Sequence, residues 1–466
     1  MVVQADAGVR RAVVIGASMA GLVTARVLAD HFDEVVLVER DRLTDGPDTR
    51  KGVPQGRHLH GLLRRGEAIL EQLFPGIAAS LVAGGAQRVD FSADFAWHHF
   101  GAWKARFDSG VTMLAMSRPY LEAEVRRRVL ASPRVRLLDD HDALGLLAAD
   151  GGARVVGLRV RARQGGEPVE LRGELVVDCG GRGSPTPKWL EELGYSRPED
   201  DAVVVHVGYA TRIFRRAVPS PFPWKALYVI GKPPESHRIG ALFPIEGDRW
   251  IAVVAGMLRD YPTADLPGFL EFARGLPVDD LHRVLSTLEP LDDGAVHRLP
   301  SNLRRRYEKL ARFPDGLVVL GDALCSFNPV YGQGMTTAAL AAISLGECLS
   351  EPRFARGRDL AGLPARFFRR VARVIDVPWL MSTLEDFRSA EVEGARPPAY
   401  PLIAGFLAHV HRAAARDHDI ALHFLRAMHM LESPAVFLRP DLLVRAMLRG
   451  SAPTLARAPS PASATR

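Results

Sequence analysis

Unbroken apolar runs of four residues, each closed by glycine or an acidic residue, mark the first part of this chain and return near residue 320. Ala12-Val13-Val14-Ile15 ends at Gly16, Val35-Val36-Leu37-Val38 ends at Glu39, and four apolar residues from Leu317 run into Gly321-Asp322. Runs of strand length without polar alternation predict strands buried on both faces of a parallel sheet. A helix pattern from Leu22 to about His31 joins the first two, and an Ala-rich helix pattern starts at Met335. Further helix patterns cover 67–74 and the stretch after Ser117-Arg118-Pro119, whose proline suits a first helical turn. In the second of these, Glu122, Glu124 and Arg126 to Arg128 read as a solvated face. Strand patterns at 113–116, 135–138, 154–163 and 169–177 surround glycine-rich turns, and TPKWLEELG then reads as a helix.

The texture changes at about Asp201. Strand-length pieces at 203–213, 224–230, 239–243 and 250–255, with a turn at Glu246-Gly247-Asp248, predict a mostly antiparallel sheet, followed by helix patterns at 266–274 and 278–288. Beyond Glu351 the apolar spacing is helical at 367–375, 402–410 and 420–431, and the Ala/Pro/Ser-rich residues 451–466 read as a disordered tail. The expected fold is α/β: a Rossmann-like nucleotide-binding domain (1–200 and 301–350), an inserted antiparallel β-sheet substrate domain (201–300) and a helical C-terminal region (351–450).

The chemistry sits where the apolar runs stop. Gly16-Ala17-Ser18-Met19-Ala20-Gly21 lies between strand and helix, with Glu39 at the distance of about 20 residues that places a carboxylate on a ribose. Ser18 stands where a second glycine normally lets backbone approach a pyrophosphate; serine is small, and its hydroxyl can donate to phosphate. Glu39-Arg40 opens a polar loop too long for a strand-to-helix turn, carrying Arg50, Lys51, Arg57, His58 and His60. Arg57 is the cation expected to reach an anionic cofactor. The two histidines have no third ligand nearby and read as structural, with no metal site. Arg118 begins a helix, where a cation is electrostatically unhelpful to the fold and a phosphate partner would explain it. Asp322, at a strand end, is followed by Pro329 and the turn Gly332-Gln333-Gly334, so the next helix points its N-terminus back at that carboxylate. Asp178-Cys179-Gly180-Gly181-Arg182-Gly183-Ser184 is a second strand-end carboxylate with a glycine loop.

Length and composition, 466 residues with 47% apolar and 24% charged, describe a globular chain of two or three domains. The charge of +6 suits an anionic cofactor or substrate, and no zinc spacing or aromatic-interleaved basic stretch supports nucleic acid. Cys179, Cys325 and Cys348 are too scattered for a disulfide framework, which suggests a reducing cytoplasm. The N-terminal residues lack a signal-peptide pattern, and no apolar run approaches the roughly 20 residues of a membrane span.

Taken together, GASMAG with Glu39-Arg40, Arg118, DCGGRGS and GDALCSFNPVYGQGM resemble the FAD-dependent monooxygenases of the para-hydroxybenzoate hydroxylase fold, over about residues 11–350. The resemblance implies FAD as cofactor. It assigns Gly16, Ser18, Met19, Ala20 and Gly21 to the pyrophosphate, Glu39 and Arg40 to the adenosine side, Arg118 to the cofactor, Gly321 and Asp322 to the ribityl chain, and Pro329, Gly332, Gly334 and Met335 to the flavin ring. RKGVPQGRHLH and VVDCGGRGSPTPKWLEELGY look like segments of bacterial flavin epoxidases and hydroxylases that tailor polyketides, including polyether precursors. Aromatic hydroxylases show Asp-Gly with a serine shortly after; here Cys179 follows Asp178 and Ser184 stands six residues on, closer to the epoxidases, halogenases and prenyl reductases.

The implied activity is transfer of one oxygen atom from dioxygen, through a flavin hydroperoxide, to an alkene or an aromatic ring of a small apolar substrate. NADPH or NADH would supply the electrons, directly or through a separate flavin reductase. Such a transfer needs a dry pocket and exact placement of substrate but no side-chain nucleophile, so no catalytic acid or base is nominated. Trp224, Tyr228 and Phe243, with Trp250, are the pocket-wall residues to test. A prenyl-type reductase, a halogenase (although no Trp-x-Trp-x-Ile-Pro stretch is present) and a non-catalytic flavin-binding protein are the competing readings.

Overall fold

The computed structural model describes residues 9–355 and 359–451; the tail read as disordered lies almost wholly outside them. Its organising element is a five-stranded parallel sheet in the order Leu317–Val319, Leu175–Asp178, Arg11–Ile15, Glu34–Val38, Val135–Leu138. The unbroken apolar runs are strands of this sheet: Val13, Val14, Val36, Val176 and Val318 have no exposed surface. Helices Met19–Leu28, Arg118–Leu130 and Gly334–Leu349 pack together on one side of it, and a three-stranded antiparallel unit formed by residues 141–172 packs on the other, so the sheet is covered on both faces as a parallel sheet must be. The C-terminal edges of Arg11–Ile15, Leu175–Asp178 and Leu317–Val319 lie side by side, bringing the three glycine-bearing loops together.

A three-stranded antiparallel sheet (His141–Ala149, Arg154–Ala162, Val169–Arg172) forms the small β unit. The larger sheet has eight strands and draws on more chain than the span 201–300: its order is Cys325–Ser326, Ala295–Arg305, Asp200–Arg215, Arg249–Gly256, Arg238–Ile245, Ala226–Ile230, Phe95–His99, Ala102–Trp103. One face packs on helices Leu266–Arg274 and Asp280–Leu285 through Phe214, Leu227, Leu242, Trp250 and Val254. The inner face carries Tyr209, Ala241, Phe243 and Tyr228 and looks toward the loop at Pro329–Tyr331 and the C-terminal helices. Those helices are Leu363–Asp386, Tyr400–Ala413, His418–Met428 and Pro440–Gly450. Among the described residues no helix is long and apolar enough to cross a membrane, and no group of three or more His, Cys, Asp or Glu is placed to hold a metal ion.

The helix Arg118–Leu130 is less solvated than its charge pattern predicts. Glu122 and Arg126 are buried: Glu122 faces the first glycine loop, and Arg126 donates to the carbonyls of Thr44 and Gly46 at 2.6 and 2.9 Å. Charges are retained there because each finds a partner from the long polar loop, a tertiary effect that helical periodicity does not carry.

Candidate cofactor and substrate site

The first glycine loop and the late Gly-Asp loop touch. Gly321 has a left-handed backbone (φ +66°), and a Cβ placed on it would lie 2.8 Å from the Ala20 side chain, so only glycine allows the two loops to close on one another. Glu39 ends the second strand and is buried; one carboxylate oxygen accepts from the Ala17 amide at 2.8 Å and the other from the Asp41 amide at 3.0 Å. Its charge is matched by Arg50 at 2.8 Å, which also reaches Glu122 at 2.7 Å. Arg118 completes the arrangement, meeting Glu122 at 2.8 Å and donating to the Ser18 hydroxyl at 2.9 Å, while Ser18 donates to Glu122 at 3.0 Å. Ser18 is therefore a hinge between a carboxylate and a guanidinium at the mouth of the helix Met19–Leu28.

Arg50 and Arg118 share the Glu122 carboxylate, and their titration follows from what else each meets. Burial pulls Arg118 below its ordinary value, with Glu122 opposing. Burial also lowers Arg50, but Glu122 and Glu39 together outweigh it, and Arg50 ends raised. Arg118 Nη1 is buried without a hydrogen-bond partner, as is Gln333 Oε1 beside the late turn. Unpartnered buried polar atoms beside the first glycine loop and in the late turn are what a long, polyoxygenated ligand reaching both loops would satisfy.

Asp322 lies in the late Gly-Asp loop. It is half-buried, next to the start of helix Gly334–Leu349, and no described residue hydrogen-bonds its carboxylate. Burial pushes its carboxyl above the ordinary range against the pull of Arg182 and Arg118. Arg182 and Arg305 brace the loop from below, Arg182 on the Ser301 carbonyl at 2.7 Å and Arg305 on the Ala323 carbonyl at 2.7 Å. Asp322 is thus a held but unengaged acceptor, free for a hydroxyl. Asp322→Ala should weaken FAD retention by about 1–3 kcal/mol, the range for one buried hydrogen bond. Titration of the apoprotein with FAD checks this, and equal affinity would make Asp322 a loop residue only.

The remaining residues singled out from the sequence divide. Met19 is buried, and Pro329, Gly332, Gly334 and Met335 stand half-exposed along the groove. Arg40 and Arg57 are exposed, and within the same loop it is Arg50 that pairs with Glu39. His58 is buried, bonded through Nδ1 to Thr211 Oγ1 at 2.8 Å and edge-on to Tyr209 at 4.5 Å. His60 Nδ1 meets the His58 carbonyl at 3.0 Å. Burial lowers His58 to about 3 and His60 to about 4, so both rings are neutral, and His58 ties the loop to the large sheet. Asp178 is wholly buried and accepts from the Gly180 amide at 2.7 Å, Thr186 Oγ1 at 2.6 Å and the Ser184 hydroxyl. The six-residue spacing to Ser184 is the length of a loop that folds back on this carboxylate.

Of the proposed wall residues, Tyr228 lies on the inner sheet face and donates to the Val330 carbonyl at 3.0 Å, directly in the late loop. Phe243 shares that face but packs on Phe95 at 5.4 Å, farther from the loop. Trp224 is on the other side: it stacks on Phe222 at 4.7 Å and leans on Trp250 at 6.2 Å, against the outer helices. Around Tyr228 the inner face continues as Ile230 and Val253, with Val330 of the late loop packed against it, all three only half-buried.

A parallel sheet with glycine loops gathered at the C-terminal ends of its strands, the first of them opening a helix, is the class of fold that binds dinucleotides. The family described as FAD dependent oxidoreductase matches residues 12–185. Protein Rv3254 of Mycobacterium tuberculosis is 34% identical over 437 residues, covering 91% of this chain and 90% of that one. The chain belongs to this family of FAD-dependent oxidoreductases. Solved structures with the same fold include a flavoprotein/dehydrogenase from Cytophaga hutchinsonii (TM-score 0.68, 15% identity, 95% of this chain and 98% of that one). The flavin-dependent brominase Bmp2 (0.64, 15%, 93% and 98%) and PqsL, a probable FAD-dependent monooxygenase from Pseudomonas aeruginosa (0.58, 18%, 82% and 97%), share it too.

Proposed function

We propose that this protein is an FAD-dependent monooxygenase that transfers one oxygen atom from dioxygen to an alkene, by epoxidation, or to an aromatic ring of a small, largely apolar, polyketide-like substrate. The observation that carries this reading is the contact between Tyr228 and the Val330 carbonyl, which sets a half-exposed apolar sheet face directly against the loop assigned to the flavin ring. FAD, when bound, supplies the activation of dioxygen. The chain's part is to hold the cofactor through Arg118, Glu39 and Asp322, and to present the substrate in a water-poor space walled by Tyr209, Ile239, Val253 and Ala255. His58 and His60, lowered to about 3 and 4, are uncharged at neutral pH and offer no cationic acid on this wall. Epoxidation is preferred over ring hydroxylation because the Asp178 loop departs from the aromatic-hydroxylase pattern. Electrons come from NADPH or NADH, directly or through a separate flavin reductase.

The test is labelled dioxygen with FAD-loaded protein, a chemical or enzymatic source of reduced flavin, and an olefinic polyketide-like substrate. One labelled atom in the product is expected. A saturated product without label would assign a reductase, and a product formed only with chloride or bromide a halogenase; either overturns the monooxygenase reading and leaves the FAD site standing.

A further inference from the structure

The inner sheet face does not end at Tyr228. The strand Phe95–His99 pairs parallel with Ala226–Ile230, Tyr228 opposite Trp97, and the two rings stack at 6.2 Å. By strand alternation His99 shares the inner side with Trp97, and the two rings stack at 5.9 Å. His411, from helix Tyr400–Ala413, closes on His99 at 4.5 Å. Lys104 enters this cluster, its ammonium 5.8 Å from the rings of both Trp97 and Phe424.

Its hydrogen-bonding account does not balance. Trp97, His99 and His411 are 4%, 7% and 5% exposed, yet Trp97 Nε1, His99 Nδ1 and His411 Nδ1 have no partner among the described residues. Lys104 donates to the His411 carbonyl and forms no ion pair among the described residues. The nearby carboxylate, Glu385, is already taken by Arg388 at 2.7 and 2.9 Å and by His411 Nε2 at 3.3 Å. His411 Nε2 donates to Glu385, so its Nδ1 is a lone pair; what remains is a half-buried cation whose nearest carboxylate is already engaged, beside an unpartnered indole N–H and the unpartnered His99 Nδ1, a group short of an acceptor. Water could satisfy a nitrogen but would not neutralise the ammonium.

We propose that Lys104, Trp97 and His99 form an anion-holding subsite at the end of the inner sheet face, which takes the carboxylate of a substrate whose apolar, unsaturated body lies along Tyr228 and Val253 toward the late loop. This rests on the oxygen-transfer reading for the identity of the body, but not for the anion. It narrows the substrate class from apolar molecules to unsaturated carboxylic acids. Burial lowers the Lys104 amine to about 7, a loss that an arriving carboxylate would reverse.

Binding, read without turnover, tests it. FAD-loaded protein is titrated with cinnamate and with oleate, each against its methyl ester, following the perturbation of flavin absorbance. The parent should bind an acid at least roughly ten-fold more tightly than its ester, and Lys104→Met should remove that preference while retaining the ester. Trp97→Phe keeps an aromatic ring but deletes the indole N–H, so it should reduce the preference several-fold even if Lys104→Met does not fold. Equal affinity for acid and ester, no binding of either by the parent, or an unchanged preference in both variants would overturn the subsite. If acids bind through Lys104 but no label from dioxygen is incorporated, the oxygen-transfer reading fails alone; if label is incorporated from acid and ester alike, the subsite fails alone.

Discussion

Gly21→Ala is expected to give protein that no longer retains FAD. A Cβ at Gly21 would stand 1.8 Å from the Gly16 carbonyl oxygen, and Gly16, with φ +91°, is itself pressed against the Cys179 carbonyl, 2.8 Å from its own hypothetical Cβ. Both obstacles are backbone, so no side chain can rotate away. The first turn of Met19–Leu28 would have to move off the loop, taking with it the amides at the helix mouth and the Ser18 hydroxyl that Arg118 and Glu122 hold. The sequence pattern alone attributes such a failure to a side chain filling the phosphate position; the structure attributes it to the helix being forced off its own loop. Overpacking of this kind costs about 1–3 kcal/mol of stability and often more, and displacement of the phosphate-binding amides adds to it. FAD content after purification and the FAD dissociation constant are the measurements, with a loss of roughly 100-fold or more expected. Gly183→Ala is the control, because a Cβ there meets nothing within 4 Å. A yellow Gly21→Ala protein would mean that the helix shifts without disturbing the cradle.

What could be seen in the sequence depended on whether the signal was local. The parallel strands and the two glycine loops were legible because each is a short run with its own punctuation, and contact between Ala20 and Gly321 follows once their strands are placed in one sheet. Arg118 was legible because a cation at a helix start is locally anomalous. Arg50 was not: it and Arg57 sit in the same polar loop with similar neighbours, and it is tertiary pairing with Glu39 and with Glu122, 72 residues away, that distinguishes them. Glu122 in turn was hidden within a charge-rich helix whose spacing suggests water. Trp224 failed for another reason. It precedes the strand, which begins at Ala226, so alternation with Tyr228 does not govern it, and it falls in with Phe222 and Trp250 instead. The strand Phe95–His99 has five buried residues, but its two histidines break any apolar run, so the elements of the anion subsite had no periodic signal at all.

Asp386→Ala should loosen the loop assigned to the flavin ring and lower FAD affinity by roughly ten-fold or more, about 1.4 kcal/mol at the least. Asp386 is 1% exposed and near the end of Leu363–Asp386, well away from the groove in sequence. Its carboxylate gathers three donors: Tyr331 OH at 2.8 Å, Asn328 Nδ2 at 3.0 Å and Asn302 Nδ2 at 2.6 Å. Asn302 also accepts from the Asn328 amide at 2.6 Å, so both ends of the segment 328–331 are fastened to one buried carboxylate. Burial raises this carboxyl to about 6 even with the three donors opposing. A raised carboxylate favours folding only while protonated, so its contribution is present below the ordinary value near 4 and is lost as the pH rises through about 6. At neutral pH Asp386 is therefore a poor choice for stability alone, and what it secures is the position of Tyr331 and Asn328. Removing it leaves three buried donors without an acceptor, each a loss of about 1–3 kcal/mol before relaxation. Asp386→Asn keeps the shape but turns an N–H toward a donor, so it should also fail; Tyr331→Phe removes one donor and should be the mildest of the three. Thermal melts and FAD titration separate the effects: the melting temperature should fall for all three, but FAD affinity should follow the number of fastenings lost. If Asp386→Ala melts lower yet binds FAD as the parent does, the network supports the helix and not the flavin loop.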